Sequence, residues 1–206
     1  TFNFNINLRD VANSGDDKKD DANYGEDVTL TKDNLATYGI ANTGDVVIPS
    51  EVIDSDGVKH KITSIGDSAF MGCSGLTSIN IPDGVTSIKN GTFLGCSSLT
   101  SINIPNSVTH IGDNAFYRCK GLTSITIPDS VTIIRNGAFT DCSNLTSITI
   151  PNSVTTIGYS VFDGCTSLAS ITYKGTTYTN KTQLTSALTS NGVIVGKRPF
   201  DNTKLQ

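Results

Sequence analysis

The residues of this chain best suited to chemistry are its five cysteines, and their spacing argues against a chemical role. Cys73, Cys96, Cys119, Cys142 and Cys165 lie 23 residues apart. Metal binding by thiolates needs closely spaced pairs such as C-x-x-C, and there are none. Each cysteine instead follows a Phe by three positions, as a small inward-facing hydrophobe would. In such a ladder, parallel side-chain directions disfavour disulfide geometry, so five free, slowly reacting thiols are expected. His60 and His110 have no partner His three or four residues away and no adjacent nucleophile, and both read as ordinary surface residues. The G-x-S-x-G, H-E-x-x-H, P-loop and dinucleotide fingerprints are absent. In DDKKDDANYGEDVTL, Asp21, Asn23 and Asp27 alternate somewhat like a calcium loop. Gly25 and Lys32 then stand where the fifth and last positions should be ligands, and Glu26 where the sixth should be glycine. Residues 12–27 therefore read as a solvated, protease-sensitive acidic loop without calcium. No catalytic residue, metal or cofactor is expected.

The elements that carry these residues repeat with the same step. Phe70, Phe93, Phe116, Phe139 and Phe162 are 23 apart, as are Leu76, Leu99, Leu122, Leu145 and Leu168. Two isoleucine columns follow, Ile79 to Ile171 and Ile65 to Ile157. One unit reads I-x-x-x-A-F-x-x-C-x-x-L-T-S-I-x-I-P-x-S-V-T-x. Its L-x-x-I-x-I core alternates as a strand buried on one face does. Pro82, Pro105, Pro128 and Pro151 end the strands, where a missing N–H costs least. A-F-x-x-C places apolar residues three apart, as one helical or 3-10 turn would. A single 23-residue unit cannot bury its own apolar face, so the units must stack into one core. The fold expected is a mostly β repeat protein of α/β type, a right-handed leucine-rich-repeat solenoid. A narrow parallel sheet lines its concave face, and short helical or 3-10 turns line its convex face.

Four regions follow: a non-repeating acidic segment (1–45), an amino-terminal cap with a hairpin insert at Asp56-Gly57 (46–64), five repeats (65–172) and a carboxyl-terminal cap (173–206). In the last, ITYKGTTY reads as a hairpin turning at Lys174-Gly175. A short helix follows, with Asn180 or Thr182 as N-cap and Gly192 as stop.

The net charge of −4 and pI near 5.0 give no basic footprint for nucleic acid or acidic lipid. Residues 1–61 hold 12 acids and 6 bases, and residues 173–206 hold 1 and 5. These read as solvated ends of a monomer, with head-to-tail association as the alternative. No apolar run reaches the length of about 18 residues that a membrane span requires, and TFNFNINLRD lacks the basic start and apolar core of a signal peptide.

The motif L-T-S-I-x-I-P-x-S-V-T-x-I-G-x-x-A-F-x-x-C resembles the BspA-like class of bacterial leucine-rich repeats over roughly residues 46–178. The resemblance implies a secreted or cell-surface protein of a host-associated microbe, acting in adhesion or protein recognition. Its partner would be a host extracellular protein or glycan. The class shares its core, so it transfers no ligand motif. A spacer domain without a ligand of its own is the alternative.

Two surfaces are candidates for contact. The outward strand columns are Ser78, Ser101, Ser124, Ser147 and Ser170, then Asn80, Asn103, Thr126, Thr149 and Thr172. They make an uncharged hydroxyl and amide face, without the paired carboxylates that glycosidases use. On the other side, Met71, Leu94 and Tyr117 follow the buried Phe and form a partly exposed apolar stripe, explained first by packing between units and second by a partner.

Overall fold

The computed structural model describes residues 24–206. Asp21, Asn23 and most of the acidic loop lie outside the described residues. The chain winds as a stack of coils around a single core, and each 23-residue unit contributes three sides to a coil.

The strands, in chain order, are β1 (Val28–Leu30), β2 (Gly44–Val47), β3 (Glu51–Ile53), β4 (Lys59–Ile65), β5 (Leu76–Asn80), β6 (Ser87–Ile88) and β7 (Ser101–Asn103). They continue with β8 (His110–Ile111), β9 (Ile133–Ile134), β10 (Ser147–Ile150), β11 (Thr156–Ile157), β12 (Ser170–Tyr173) and β13 (Thr176–Tyr178). The helix α1 (Lys181–Ser190) and β14 (Ile194–Val195) complete the order.

The L-x-x-I-x-I side forms two short parallel sheets, β2-β5-β7 and β10-β12, with β13 added antiparallel to β12. Strand pairing is interrupted at the middle coil, where residues 123–126 form no ladder. After each strand, the carbonyl of Pro82, Pro105, Pro128 or Pro151 accepts the N–H of the valine three residues on, at 3.0 to 3.1 Å. That turn directs the valine inward and leads into the second side. There, two-residue strands pair in register, Ile65↔Ile88↔Ile111↔Ile134↔Ile157. The result is the longest sheet, β1-β4-β6-β8-β9-β11-β14, parallel throughout this path. The repeat pattern treats this side only as a return; T-x-I is too short to announce a strand without its neighbours.

The A-F-x-x-C side makes the i→i−3 bonds of 3-10 turns, Met71 N–H to Ser68 O at 2.9 Å and Cys73 N–H to Phe70 O at 3.1 Å. No continuous helix results. Residues 68, 91, 114, 137 and 160, and 72, 95, 118, 141 and 164, all have φ between 52° and 74°. Each left-handed residue breaks the turn and swings the alternate N–H groups toward the next coil, as Phe70 N–H bonds Thr92 O at 2.9 Å. Inside, the phenylalanines stack with ring centroids 5.2 to 5.8 Å apart, from Phe70 to Phe162 and on to Phe200.

The solenoid extends beyond the region of 23-residue spacing at both ends. Leu30 pairs with Ile65 and Val46 with Ile79, so residues 28–48 wind one further coil, and the boundary at residue 45 falls within β2. In place of A-F-x-x-C this coil has one helical turn, Leu35 N–H to Thr31 O, closed by Gly39 at φ 66° and the bond from Ile40 N–H to Leu35 O. At the other end Lys174 and Gly175, φ 49° and 74°, turn the hairpin. Asn180 caps α1 by accepting from Gln183 N–H, and Leu184 and Leu188 face the core. Residues 195–203 (VGKRPFDNT) then repeat the I-G-x-x-A-F-x-x-C side with Phe200 in the phenylalanine column. The hairpin and α1 lengthen the step from Ile157 to Val195, which hides this coil from a search at fixed period.

Candidate ligand-binding surface

The strand face is built by register. Ser78 pairs with Ser101 and Asn80 with Asn103 in one sheet, and Ser147 pairs with Ser170 and Thr149 with Thr172 in the other. Ser124 and Thr126 sit between the two sheets on the unpaired middle coil. Ser101, Ser124, Ser147, Asn80, Asn103, Thr126 and Thr149 are exposed, and Ser78, Ser170 and Thr172 are half-buried. Some of this polar capacity is already used. Asn103 Nδ2 donates to Asn80 Oδ1 at 2.6 Å, and the hydroxyls of Thr172 and Thr177 lie 3.1 Å apart. In the adjacent column, Thr100 and Thr146 donate their hydroxyls to Thr77 O and Thr123 O of the preceding coil.

Two departures from the sequence reading appear at the edges of this face. The first is a charge. Asp45 pairs with Ser78 across β2 and β5, and its carboxylate accepts from the hydroxyls of Thr77 and Ser78 at 2.7 Å each. Those bonds lower its pKa from the ordinary 3.8, Ser78 contributing most. The second is apolar: Val47, in the column of Asn80, is 71% exposed. Both residues lie in DVVIPSEV, which matches the strand-Pro pattern with an insert of about ten residues before the first unit, and so stand outside the columns at 23-residue spacing. At the far edge Lys174 Nζ donates to Asn191 Oδ1 at 2.6 Å. The face therefore runs from a carboxylate at one end to an ammonium at the other.

The second surface, Met71, Leu94 and Tyr117, is only partly open. Met71 is 39% exposed, while Leu94 and Tyr117 are half-buried. Their carbonyls accept inter-coil or side-chain bonds: Gly72 N–H to Leu94 O, Gly95 N–H to Tyr117 O and Lys32 Nζ to Met71 O. The Arg118 guanidinium covers the Tyr117 ring at 4.9 Å.

The remaining candidates for chemistry are held in the framework. Cys96, Cys119, Cys142 and Cys165 are buried, and each thiol donates to the carbonyl of a Phe 26 residues earlier at 3.0 to 3.1 Å. Cys73 begins the column and is only half-buried, which departs from the expectation of five equally sheltered thiols. All five are free. His60 is no bystander: Nδ1 lies 2.8 Å from Glu26 O and Nε2 lies 2.9 Å from Asp54 Oδ2. Both partners can accept, so both contacts act as hydrogen bonds when each ring nitrogen carries a proton. The Asp54 bond, with that of Glu26, accordingly raises the pKa of His60 from 6.5, and His60 in turn lowers that of Asp54 from 3.8. The group ties the inserted β3-β4 hairpin to the residues before β1. His110 is half-buried, with Nδ1 2.7 Å from the Thr109 hydroxyl. Among the described residues no three His, Cys, Asp or Glu side chains converge to hold a metal, and no helix is long and apolar enough to cross a membrane.

Comparison with known proteins adds the family. Residues 63–184 match the BspA type leucine rich repeat region in six copies. Among solved structures, a leucine-rich-repeat protein of T. pallidum superposes with TM-score 0.58 at 33% identity, over 64% of this chain and 59% of that one. A leucine-rich cell surface protein of Faecalibacterium prausnitzii gives 0.60 at 31% identity, over 79% of this chain and 42% of that one. A leucine-rich-repeat protein of Bacteroides ovatus gives 0.50 at 33% identity, over 63% and 43% respectively. This chain thus spans about three fifths of the T. pallidum protein and about two fifths of the other two. No curated protein matches it. The repeat column by column, the stacked core and these relatives agree: the chain belongs to the BspA-type leucine-rich-repeat family.

Proposed function

We propose that this chain is a non-catalytic recognition module displayed outside a bacterial cell, working in adhesion through its strand face. The observation that carries the reading is the face itself. Five successive coils hold out uncharged Ser, Asn and Thr groups, in register within two short sheets on either side of the unpaired middle coil, and flanked by Asp45 and Lys174. Such a face suits an extended glycan or peptide that lies across several coils and exchanges hydrogen bonds at each. A surface location is supported by the F. prausnitzii relative, which is described as a cell surface protein. The five coils of this face offer no Trp or Arg anchor, so single-module binding is weak, of about micromolar strength or poorer, and many copies at one surface supply the adhesion. The second reading is a spacer. It is favoured by the hydroxyls of Thr100 and Thr146, which are spent on the solenoid's own backbone.

The test uses host matrix proteins and glycan arrays as probes. Asn103, Thr126 and Thr149 are changed together to Lys in the full chain, with the melting temperature as a folding control. The expected result is captured ligand for the wild type and loss of at least about tenfold for the variant, roughly the effect of losing one or two hydrogen bonds. Absence of any ligand for the wild type favours the spacer. Retained binding in the triple variant, with loss in Leu94→Ser and Tyr117→Ala, moves the site to the opposite stripe.

A further inference from the structure

The outer surface of the long sheet belongs neither to the strand face nor to the apolar stripe. One residue after the inward isoleucines of this sheet, the five repeats carry Gly66, Lys89, Gly112, Arg135 and Gly158 in turn. The register Ile88↔Ile111↔Ile134 sets Lys89, Gly112 and Arg135 on three successive coils. The two cations therefore stand two ladder steps apart, about 10 Å along the sheet. Between them the buried Gly112 leaves a notch, because a Cβ there would lie 2.7 Å from Lys89 C and 2.8 Å from Asn90 N. A cleft of about 600 Å³ opens at this notch, with Lys89 and Arg135 among its lining residues.

The cleft holds hydrogen-bonding groups that the fold does not use. Among the described residues, the side chains of Lys89 and Arg135 form no ion pair and no hydrogen bond. Along one wall, Asp67 Oδ1 accepts the Asn90 N–H at 3.0 Å and Asn90 Oδ1 accepts the Asp113 N–H at 2.8 Å. Both side chains are thus pinned to the backbone of the next coil. Asn90 Nδ2 is left as a donor and Asp67 Oδ2 as an acceptor, neither with a partner among the described residues. Ser87 and His110, paired across β6 and β8, complete the lining. His110 Nδ1 is taken up by the Thr109 hydroxyl, whereas the Ser87 hydroxyl has no partner among the described residues.

These groups select a ligand of mixed chemistry. Two cations and a carboxamide N–H suit an oxyanion, held by charge-assisted hydrogen bonds. Asp67 beside them opposes a bare multivalent anion but accepts from hydroxyl groups, as the Ser87 oxygen also can. The volume is that of a site for a small organic molecule rather than for a single ion. We infer that the cleft binds a sugar residue carrying one oxyanion, a carboxylate or a sulfate. The oxyanion lies between Lys89 and Arg135 over Gly112, and the ring hydroxyls face Asp67 and Ser87. This site is separate from the strand face and does not depend on that face having a ligand.

The experiment is titration of the isotopically labelled full chain, followed through its amide NMR spectrum, with a uronic acid, a monosulfated hexose, the neutral hexose and inorganic sulfate as probes. The acidic sugars are expected to shift the amides of Ser87, Asn90, Gly112 and Arg135, and to bind at least about tenfold more tightly than the neutral hexose or inorganic sulfate. Response to one acidic sugar or to both supports the inference and fixes whether a carboxylate or a sulfate is preferred. Lys89→Met with Arg135→Met, which keeps most of the side-chain bulk, should weaken that binding by at least about tenfold with an unchanged melting temperature. Asp67→Asn, whose side-chain oxygen can still accept the Asn90 N–H, should weaken the sugar and strengthen inorganic sulfate. Replacing Asn103, Thr126 and Thr149 by Ala should leave acidic-sugar binding unchanged, which separates this site from the strand face. Silence of the cleft amides toward both acidic sugars overturns the inference. So does a neutral hexose or inorganic sulfate that binds as tightly as they do, or a double Met variant that binds as the wild type does.

Discussion

Burial, rather than any reactive partner, governs the chemistry of the five cysteines. Cys96 and Cys165 are pushed from the ordinary 9.0 up to about 12, with desolvation the leading cause at each. Cys119 and Cys142, deeper in the stack, are raised further for the same reason. The thiolate is the nucleophile, so at pH 8 these four are expected to resist a thiol reagent until the protein unfolds. Cys73 has no Phe carbonyl of an earlier coil to donate to, and Lys32 partly opposes the effect of its burial. It should be modified first, as peptide mass spectrometry after timed labelling would show; equal native rates at three or more sites would contradict the stacked core. The linkage has a definite sign. A thiol whose pKa is higher folded than unfolded contributes stability that is complete below about 9 and lost as pH rises toward 12. Urea midpoints should therefore begin to fall above pH 9 and keep falling to pH 11.

At Gly112 and Gly158 one coil packs directly on the backbone of the coil below. A Cβ added at Gly158 would lie 2.6 Å from Asn136 N and 2.7 Å from Arg135 C, backbone atoms of the coil below. The φ of Gly158 is not in the left-handed region, so the whole penalty is overlap. Gly158→Ala is expected to cost about 1–3 kcal/mol in equilibrium unfolding, the range for overpacking a filled interior. An unchanged stability would mean that the two coils stand further apart than described. Lys89 and Arg135 occupy the same column in other coils, so the internal alignment alone marks this position as tolerant.

Across the whole molecule, each coil touches only its neighbours, so a substitution should act according to its place in the stack. Phe116 lies between Phe93 at 5.4 Å and Phe139 at 5.2 Å, whereas Phe200 has only Phe162, at 5.8 Å. Phe116→Ala is expected to cost about 3–5 kcal/mol and to lower the single unfolding transition. Phe200→Ala should cost less globally and speed amide hydrogen exchange first at residues 194–206. Equal effects on both readouts would show that the last coil is not a separate, weaker neighbour of the stack.

The sequence by itself determined the repeat, the strand with its outward Ser, Asn and Thr columns, the inward thiols and the capping helix. Identical units must place identical residues in identical surroundings, and a half-buried strand announces itself by alternation. Tertiary structure decided what periodicity cannot carry. The Ile65–Ile157 side becomes the longest sheet only because neighbouring coils supply partners for its two-residue strands. The A-F-x-x-C turns become inter-coil ladders through left-handed residues as different as Ser68, Gly91 and Asn114. The outer coils, with Asp45, Val47 and Phe200, escape the 23-residue step because hairpins and a helix are inserted into them. Stacking restores their register, since a core column is defined by what lies above and below it and not by distance along the chain.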